Sequence, residues 1–174
     1  MSKIAIFFGP EKGAVNRVAD KIRQLLGAEK VEMVSVANAT AASLKPFDKI
    51  IFGISTVGKE TWDSTFSNND WAKFMPEISK GDFQGKTVAI FGLGDHITYA
   101  ANFVDSMGQL ARELQKTSAH LVGQVPVEGY EFEESAAIID GMFVGLPVDE
   151  DFEPELTDAR IAAWVALLKN QHGF

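Results

Sequence analysis

The chain lacks cysteine and any long apolar run among its 174 residues. Without cysteine it can form no disulfide, thiolate metal site or cysteine nucleophile. A membrane helix needs an apolar run of about 18 residues, and none approaches that length, so we expect no membrane anchoring. Residues 1–4 lead directly into a predicted strand and leave no room for a signal peptide, which predicts a cytoplasmic protein.

Basic residues are also few: 16 Lys and Arg stand against 24 Asp and Glu, giving a formal charge of −8. This balance argues against a nucleic-acid partner, which requires a basic surface. An acidic surface can steer basic partners towards the protein, or it can serve only solubility, and composition leaves both open. The length, with 46% hydrophobic and 23% charged residues, predicts a single globular domain over residues 1–174.

Continuous apolar runs at 3–8, 49–54 and 87–91 predict strands buried on both faces. Weaker strands are predicted at 31–36 and 120–125. Helical apolar spacing separates these runs, and the alternation predicts an α/β fold with a parallel sheet. Residues 124–151 break the alternation and predict an insertion in or after the last strand. Thr157 is predicted to cap the final helix.

The run ending at residue 91 leads directly into a loop with two glycines, acids, an aromatic and an amide. Ligands of open parallel sheets bind beyond the carboxyl ends of the strands. An aromatic ring there can stack on a planar heterocycle, and an amide can bond its edge. The candidate binding residues of this loop are Gly92, Leu93, Gly94, Asp95, Tyr99, Asn102 and Asp105.

A second loop joins the first strand to the first helix. Such a junction offers free backbone N–H groups and a helix dipole to an anion. No Lys-Ser/Thr pair follows its second glycine, so it is not a P-loop, and its glycine spacing differs from the dinucleotide fingerprint. Its candidate residues are Gly9, Pro10, Glu11, Lys12, Gly13, Ala14 and Val15.

A third loop follows the strand at 49–54. Its candidate residues are Ser55, Thr56, Val57, Gly58 and Lys59. By themselves these residues do not distinguish a binding loop from a plain turn. The run continues to Asn69, and its Trp62 and Phe66 either pack onto the domain or present an apolar patch to a partner.

Over essentially its whole length the chain resembles the long-chain flavodoxins. The resemblance rests on the pattern Gly-x-Gly-Asp…Tyr…Asn-Phe-x-Asp at 92–105 and on residues 127–135, 143–151 and 156–164. It implies a flavodoxin-like, doubly wound, five-stranded parallel sheet with helices on both faces and an insertion in the last strand.

The resemblance also implies a cofactor, FMN. Tyr99 and Val57 would flank its ring, Asn102 would reach the ring, and Gly58 would place a carbonyl against the ring N5. Thr56 and the loop at 9–15 would hold the phosphate. Asp149 would lie near the ribityl chain or the ring edge.

The loop at 9–15 departs from the family pattern. Pro10, Lys12 and Val15 stand where flavodoxins have Ser or Thr, and Ala14 replaces the usual Asn. Each lost neutral hydrogen bond to the phosphate would cost roughly 0.5–1.5 kcal/mol. The positive charge of Lys12 could offset this loss, or Lys12 could simply point to solvent.

The implied function is one-electron transfer by non-covalently bound FMN, in a monomer that docks transiently on basic surfaces of a reductase and an electron-acceptor protein. Two alternatives remain. The protein could have lost tight FMN binding and act as an interaction or regulatory module, or it could be an FMN-dependent reductase.

The three histidines are scattered and lack metal-ligand spacing. His96 lies in the loop at 92–105, here called the ring loop because the resemblance implies that it contacts the FMN ring. There His96 could tune the flavin, but we expect a solvent-exposed loop histidine. The acidic run from Asp149 to Glu155 is expected to form a solvated acidic surface.

Overall fold

The computed structural model describes residues 3–56 and 70–174. Its strands are Ile4–Phe8 (β1), Val31–Ser35 (β2), Lys49–Ser55 (β3), Thr87–Leu93 (β4), His120–Leu121 (β5), Val125–Pro126 (β6), Ile138–Ile139 (β7), Met142–Phe143 (β8) and Leu146–Val148 (β9). Its helices are Ala14–Leu26 (α1), Asp70–Ile78 (α2), Asp105–Gln115 (α3) and Pro154–His172 (α4), with 3₁₀ turns at Ala28–Lys30, Val36–Asn38, Ala41–Leu44 and Ala100–Asn102.

The main sheet is parallel and has the order β2-β1-β3-β4-β5, with β9 also paired to β4. Strand β3 occupies one edge of β4 along its whole length, from Lys49 opposite Thr87 to Ser55 opposite Leu93. Both β5 and β9 therefore lie on the other edge, β5 beside the start of β4 and β9 beside its end. They are two halves of a fifth strand, which confirms the predicted five-stranded sheet and the insertion in its last strand.

Helices cover both faces of this sheet because successive strand residues point to opposite sides. Ala5 and Phe7 of β1 join a core that includes residues of α2 and α3. Ile4, Ile6 and Phe8 join a second core with residues of α1 and α4. The continuous apolar strands of the sequence thus reflect burial on two faces, and the doubly wound prediction is confirmed.

The segment between β5 and β9 forms a small antiparallel sheet of order β6-β8-β7. Only His120–Leu121 of the predicted strand at 120–125 joins the main sheet, because the chain then turns at Gly123, where φ is 83°. The insertion returns to the main sheet at Leu146, earlier than the predicted limit near residue 151.

Two predicted boundaries are wrong. Strand β4 continues through Gly92 to Leu93, because β9 pairs with these residues and extends the ladder. Helix α4 begins at Pro154, so Thr157 lies within its first turn rather than at its cap. Proline is favoured at the first helical position because its missing N–H would have no helical partner there. The Thr157 hydroxyl donates instead to Glu150 Oε2 at 2.7 Å.

Across the two described ranges, 3–56 and 70–174, no helix is both long and apolar enough to span a bilayer.

The close approach of Gly145, just before β9, to the backbone of β4 gives a test of this packing. A Cβ atom added at Gly145 would overlap the backbone carbonyl oxygen of Ile90, which cannot rotate away. We expect Gly145→Ala to lower the free energy of unfolding by about 3 kcal/mol, measured by urea denaturation.

Gly81→Ala is the matched control. Its Cβ would lie 2.9 Å from Leu44 Cδ1 and Phe83 Cε2, which are side-chain rather than backbone atoms. We expect a smaller loss there, about 1 kcal/mol. Equal losses in the two variants would contradict the close backbone approach at Gly145.

Candidate functional site

The carboxyl ends of β1, β3 and β4 lie side by side at one edge of the sheet. Phe8 pairs with Gly53, and Gly53 pairs with Phe91, so the loops after these strands start from neighbouring positions. Ligands of doubly wound sheets bind at this edge. The structure therefore brings together the described parts of the three loops that the sequence singles out.

The loop after β1 is anchored at Gly9 and open beyond it. Gly9 is buried and donates its N–H to Gly53 O at 3.4 Å. A Cβ atom at Gly9 would lie 2.6 Å from Val36 Cγ2, so this approach requires glycine. The next residues, 10–13, are exposed, whereas Val15 is 2% exposed and packs in the core. Val15 can therefore offer a ligand only its backbone.

The first turn of α1 presents backbone donors. The first helical hydrogen bond runs from Arg17 N to Gly13 O at 3.1 Å, so the N–H groups before Arg17 have no helical partner. Gly13 has φ 111°, and no described atom lies within 4 Å of the place its Cβ would take. The turn contains no acidic residue. Free N–H groups, the positive end of the helix dipole and the nearby Lys12 make this turn suitable for an anion.

A side chain that sequence reasoning missed closes this loop. Asn16 Nδ2 donates to Glu11 O at 2.7 Å. This bond joins α1 to the exposed part of the loop and fixes the direction of the peptide groups between them. An Asn in the first helical turn, where its side chain can bond nearby backbone groups, was the available signal.

The loop after β3 is described only as far as Thr56. Ser55 is half-buried and Thr56 is 8% exposed. Thr56 Oγ1 accepts a hydrogen bond from Ser106 N at 2.9 Å, and Thr56 N donates to Leu93 O at 2.8 Å. Thr56 thus connects the ends of β3 and β4 to the start of α3. Val57, Gly58, Lys59 and the run to Asn69 lie outside the described residues.

The loop after β4 starts at Gly94, because Gly92 and Leu93 are buried strand residues. A Cβ atom at Gly92 would lie 3.0 Å from Met107 Cβ, so this glycine lets α3 approach the sheet closely. Gly94 is also buried, and its N–H donates to Val148 O at 3.0 Å. Both glycines have a packing role that the predicted binding role does not include.

Asp95 organises the next turn. Its Oδ1 accepts hydrogen bonds from Ile97 N at 3.0 Å and from Thr98 N at 2.7 Å. Its carbonyl oxygen accepts from Tyr99 N at 3.2 Å, which brings Tyr99 to the end of the turn, half-buried. Asp95 is therefore a turn-forming residue that positions Tyr99.

Asn102 and Asp105 are bonded to each other, with Asn102 Nδ2 donating to Asp105 Oδ2 at 3.0 Å. Asp105 Oδ1 accepts from Ala136 N in the insertion at 2.7 Å. Ala100 O accepts from Glu133 N at 2.9 Å and from Glu134 N at 3.0 Å. The insertion is thus attached to the ring loop and holds it against α3.

Asp149 lies just beyond β9, and its side chain is fully buried. Its Oδ1 accepts from the N–H groups of Asp151 and Phe152, each at 2.9 Å. Its Oδ2 accepts from His96 N at 3.0 Å and contacts His96 Nδ1. Burial alone would raise the pKa of Asp149, but the hydrogen bonds from His96, Phe152 and Asp151 outweigh it and hold that pKa below its usual value.

His96 is not solvent-exposed, contrary to the prediction: only 11% of its side chain is accessible. Its ring contacts Phe103 and Phe152 edge-on, with centroids 6.5 and 6.3 Å away. Its Nδ1 lies 3.6 Å from Glu153 Oε1. The prediction of a solvated acidic surface from 149 to 155 is therefore wrong for Asp149, which turns inward to His96.

The ligating atoms of His96, Asp149 and Glu153 lie within 4.8 Å of one another, a spacing that suits a metal ion. However, the four hydrogen bonds to Asp149 occupy both of its oxygens. Arg160 Nη1 lies 3.3 Å from Glu153 Oε1, the oxygen nearest His96. The arrangement is that of a hydrogen-bonded ion network.

Arg160 extends this network to the insertion. Its guanidinium carbon lies 4.2 Å from the centroid of the Tyr130 ring, and its NH2 donates to Gly129 O at 3.1 Å. The Tyr130 hydroxyl donates to Pro147 O at 3.0 Å. Burial raises the pKa of Tyr130 to about 12, against a smaller opposing effect of Arg160.

Sequence reasoning missed this network, although the chain carried a signal for it. His96 follows β4 and Asp149 follows β9, and neighbouring parallel strands bring such residues to the same edge of the sheet. The sequence does not show that β9 pairs with the end of β4, and without this pairing the two residues cannot be placed together.

The sheet order, the helices on both faces and the loops at the carboxyl edge define a doubly wound α/β protein with a ligand site at that edge. A family model described as flavodoxin matches residues 6–164. The chain belongs to the flavodoxin family.

Individual relatives agree with this assignment. The chain is 39% identical to a flavodoxin of Synechococcus elongatus over 174 residues, covering 99% of each protein. It is 37% identical to flavodoxin 1 of Azotobacter vinelandii over 175 residues, covering 98% of each. The solved Fusobacterium nucleatum flavodoxin bound to flavin mononucleotide superposes with a TM-score of 0.86 at 26% identity, covering 97% of this chain and 98% of that one.

Tyr130 offers a test of the network's burial. The chain has two tyrosines, so a Tyr99→Phe variant keeps Tyr130 alone. We expect its phenol to ionise with a pKa of about 12 in an absorbance titration. Because this pKa is raised above the usual 10, the stability linked to Tyr130 is complete below pH 10 and is lost as the pH rises through 12.

Circular dichroism in parallel would show that the protein is still folded during the titration. A midpoint near 10 in folded protein would contradict the burial of Tyr130.

Proposed function

We propose that this chain binds FMN non-covalently at the carboxyl edge of its sheet and acts as a one-electron carrier between redox proteins. Flavodoxins are electron carriers rather than enzymes, and they pass electrons to redox partners. The observation that carries the proposal is the open first turn of α1 beside the loops after β3 and β4.

The residues of the α1 turn fit a phosphate group. The backbone N–H groups of this turn have no helical partner, Lys12 beside them is exposed, and the first helical turn contains no acidic residue. Side-chain hydroxyls are absent from residues 9–15, so backbone donors and the charge of Lys12 would hold the phosphate. Thr56 would add a hydroxyl from the neighbouring strand.

FMN, when bound, supplies the redox chemistry through its ring. The chain would orient that ring with Tyr99 and Val57 on its faces and Gly58 at N5. Asn102 uses one amide hydrogen on Asp105, and its remaining polar atoms would meet the ring edge. Asp149 would act through His96, since all its described contacts are hydrogen bonds within the two loops.

We also propose a docking surface beside this site. Its acidic rim comprises Asp95, Glu150 and Asp151. Partial desolvation, together with the charges of Asp95, Asp149 and Glu150, raises the pKa of Asp151, so these carboxylates act on one another. Ile97, Phe152 and Leu156 are exposed apolar residues close to the rim in sequence, at 57%, 47% and 38%. Exposed apolar residues on the same segments as these carboxylates suit a partner with a basic face.

The first experiment adds FMN to the purified apoprotein and follows the visible absorption and the quenching of flavin fluorescence. We expect saturable binding at one site. We expect Lys12→Ala to bind about tenfold more weakly, because it removes a charge-assisted contact to the phosphate. A wild-type protein that is colourless after incubation with excess FMN and removal of the free FMN would refute the proposal and favour an interaction module.

Lys45→Ala is the matched control for Lys12→Ala. Lys45 is exposed and follows a 3₁₀ turn before β3, near the opposite edge of the sheet. Its loss should leave the FMN dissociation constant unchanged. Equal effects of the two substitutions would show a general charge effect and remove the specific role of Lys12. Oxidation of NAD(P)H by the FMN-loaded protein alone would favour a reductase.

The docking surface predicts a salt-dependent rate. FMN-loaded protein, reduced chemically, should pass electrons to cytochrome c, a basic haem protein, about two- to fivefold more slowly when Asp151→Asn is present at low ionic strength. In 0.5 M salt the difference should vanish. Glu32→Gln, which removes an exposed carboxylate near the amino ends of the strands, should match the wild type.

The cytoplasmic setting, the monomeric state and the single domain over residues 1–174 stay predictions. Size-exclusion chromatography with light scattering would decide the monomeric state.

A further inference from the structure

His96 and its surroundings carry an inference beyond the binding of FMN. His96 belongs to the loop after β4, whereas both carboxylates near its Nδ1, those of Asp149 and Glu153, belong to the segment between β9 and α4. The imidazole therefore connects, through its side chain, two loops that follow neighbouring strands at the carboxyl edge of the sheet, in addition to the bond from His96 N to Asp149.

Charged groups surround His96 from three parts of the chain: its own loop, the segment between β9 and α4, and α4. Asp149 and Glu153 face its Nδ1, and Arg160 of α4 lies behind Glu153 at 3.3 Å. Asp95 precedes it in its own loop, and Asp151 interacts electrostatically with both Asp95 and Asp149. The rings of Phe103 and Phe152 enclose the imidazole and limit its contact with water.

The two carboxylates hold the imidazole differently. Asp149 Oδ2 is in hydrogen-bond contact with Nδ1, so Nδ1 carries a hydrogen whether the ring is neutral or charged. Glu153 Oε1, at 3.6 Å, is beyond a good hydrogen bond and attracts the ring only when the ring is positively charged. A second proton, taken up from water, would bind at Nε2.

We propose that His96 is a proton-dependent link between the loop after β4 and the segment after β9. The neutral ring bonds Asp149 alone, and the protonated ring also pairs with Glu153 and holds the two loops more firmly together. Histidine ordinarily gains or loses its proton between about pH 5 and 8, where the neighbouring Asp, Glu and Arg groups ordinarily keep their charges.

The link affects the proposed cofactor site because His96 and Tyr99 belong to the same loop, and Tyr99 is proposed to contact the FMN ring. Asp95 connects the turn at His96 to Tyr99 through its backbone and side-chain hydrogen bonds. A firmer link therefore reduces the conformational freedom that the ring loop loses when a ligand binds. This part of the inference rests on the proposed FMN function; the link itself does not.

A double-mutant cycle on the apoprotein tests the link. His96→Gln keeps a side-chain donor that does not titrate, and Glu153→Gln keeps the shape of Glu153 without its charge. Urea unfolding of the wild type, both single variants and the double variant is measured at pH 5.5 and 8.5. We expect a coupling of about three- to tenfold in the unfolding equilibrium constant at pH 5.5 and less than about 1.5-fold at pH 8.5. Equal coupling at both values would overturn the proposal.

If His96→Gln does not fold, the pH dependence of the stability of Glu153→Gln still tests the link. The wild type should gain stability relative to this variant as the pH falls from 8.5 to 5.5. Parallel pH profiles would overturn the link. His120→Gln, on the exposed start of β5, is the control and should follow the wild-type profile.

The second readout is the FMN dissociation constant of the wild type and His96→Gln at both pH values. The FMN phosphate titrates in both proteins alike, so the comparison isolates His96. We expect the ratio of dissociation constants, pH 8.5 over pH 5.5, to be about threefold larger in the wild type. Equal ratios would refute the effect on the site. Absence of FMN binding by the wild type would refute the proposed function, and the apoprotein cycle would still decide the link.

Discussion

The arrangement of the site depends on the pairing of β9 with the last three residues of β4. This pairing extends β4 to Leu93, joins Gly94 to Val148 by a backbone hydrogen bond and delivers Asp149 to the loop that carries His96. The insertion leaves and re-enters the sheet on the same side of β4. It can therefore bond the ring loop through Glu133 and Glu134, while the pairing of β4 with β9 fixes the start of that loop.

The layers of the fold could be predicted from local pattern. Strands β1, β3 and β4 are apolar on both faces, and that composition is compatible with little besides a parallel sheet between helices. The fifth strand could be placed less well, since β5 pairs through only two residues and β9, its second half, is separated from it by 24 residues. Pairing between such distant short runs leaves no periodic signal in either of them.

The site likewise has features that local sequence predicts and features that depend on distant residues. The loops after β1 and β4 could be located, because glycines at strand ends mark turns and close approaches whatever the distant partners are. The burial of His96 could not be predicted, since it depends on Asp149 and Glu153, more than 50 residues away. A histidine beside Asp95 in a polar loop has the same local pattern whether it is exposed or enclosed by Phe103 and Phe152.

This division also explains which loop departs from the family pattern. In the loop at 9–15 the donors that an anion needs are backbone N–H groups, fixed by the start of α1 and by the bond from Asn16 to Glu11. Lys12 and Val15 in place of hydroxyl residues keep these donors, and Pro10 removes only its own N–H, which precedes the helical turn. The loop after β4 is instead shaped by the side chains of Asp95, Asn102 and Asp105. Loss of Asp95 or Asp105 would remove the acceptors of backbone N–H groups, so a change at either is more costly than one in the loop after β1.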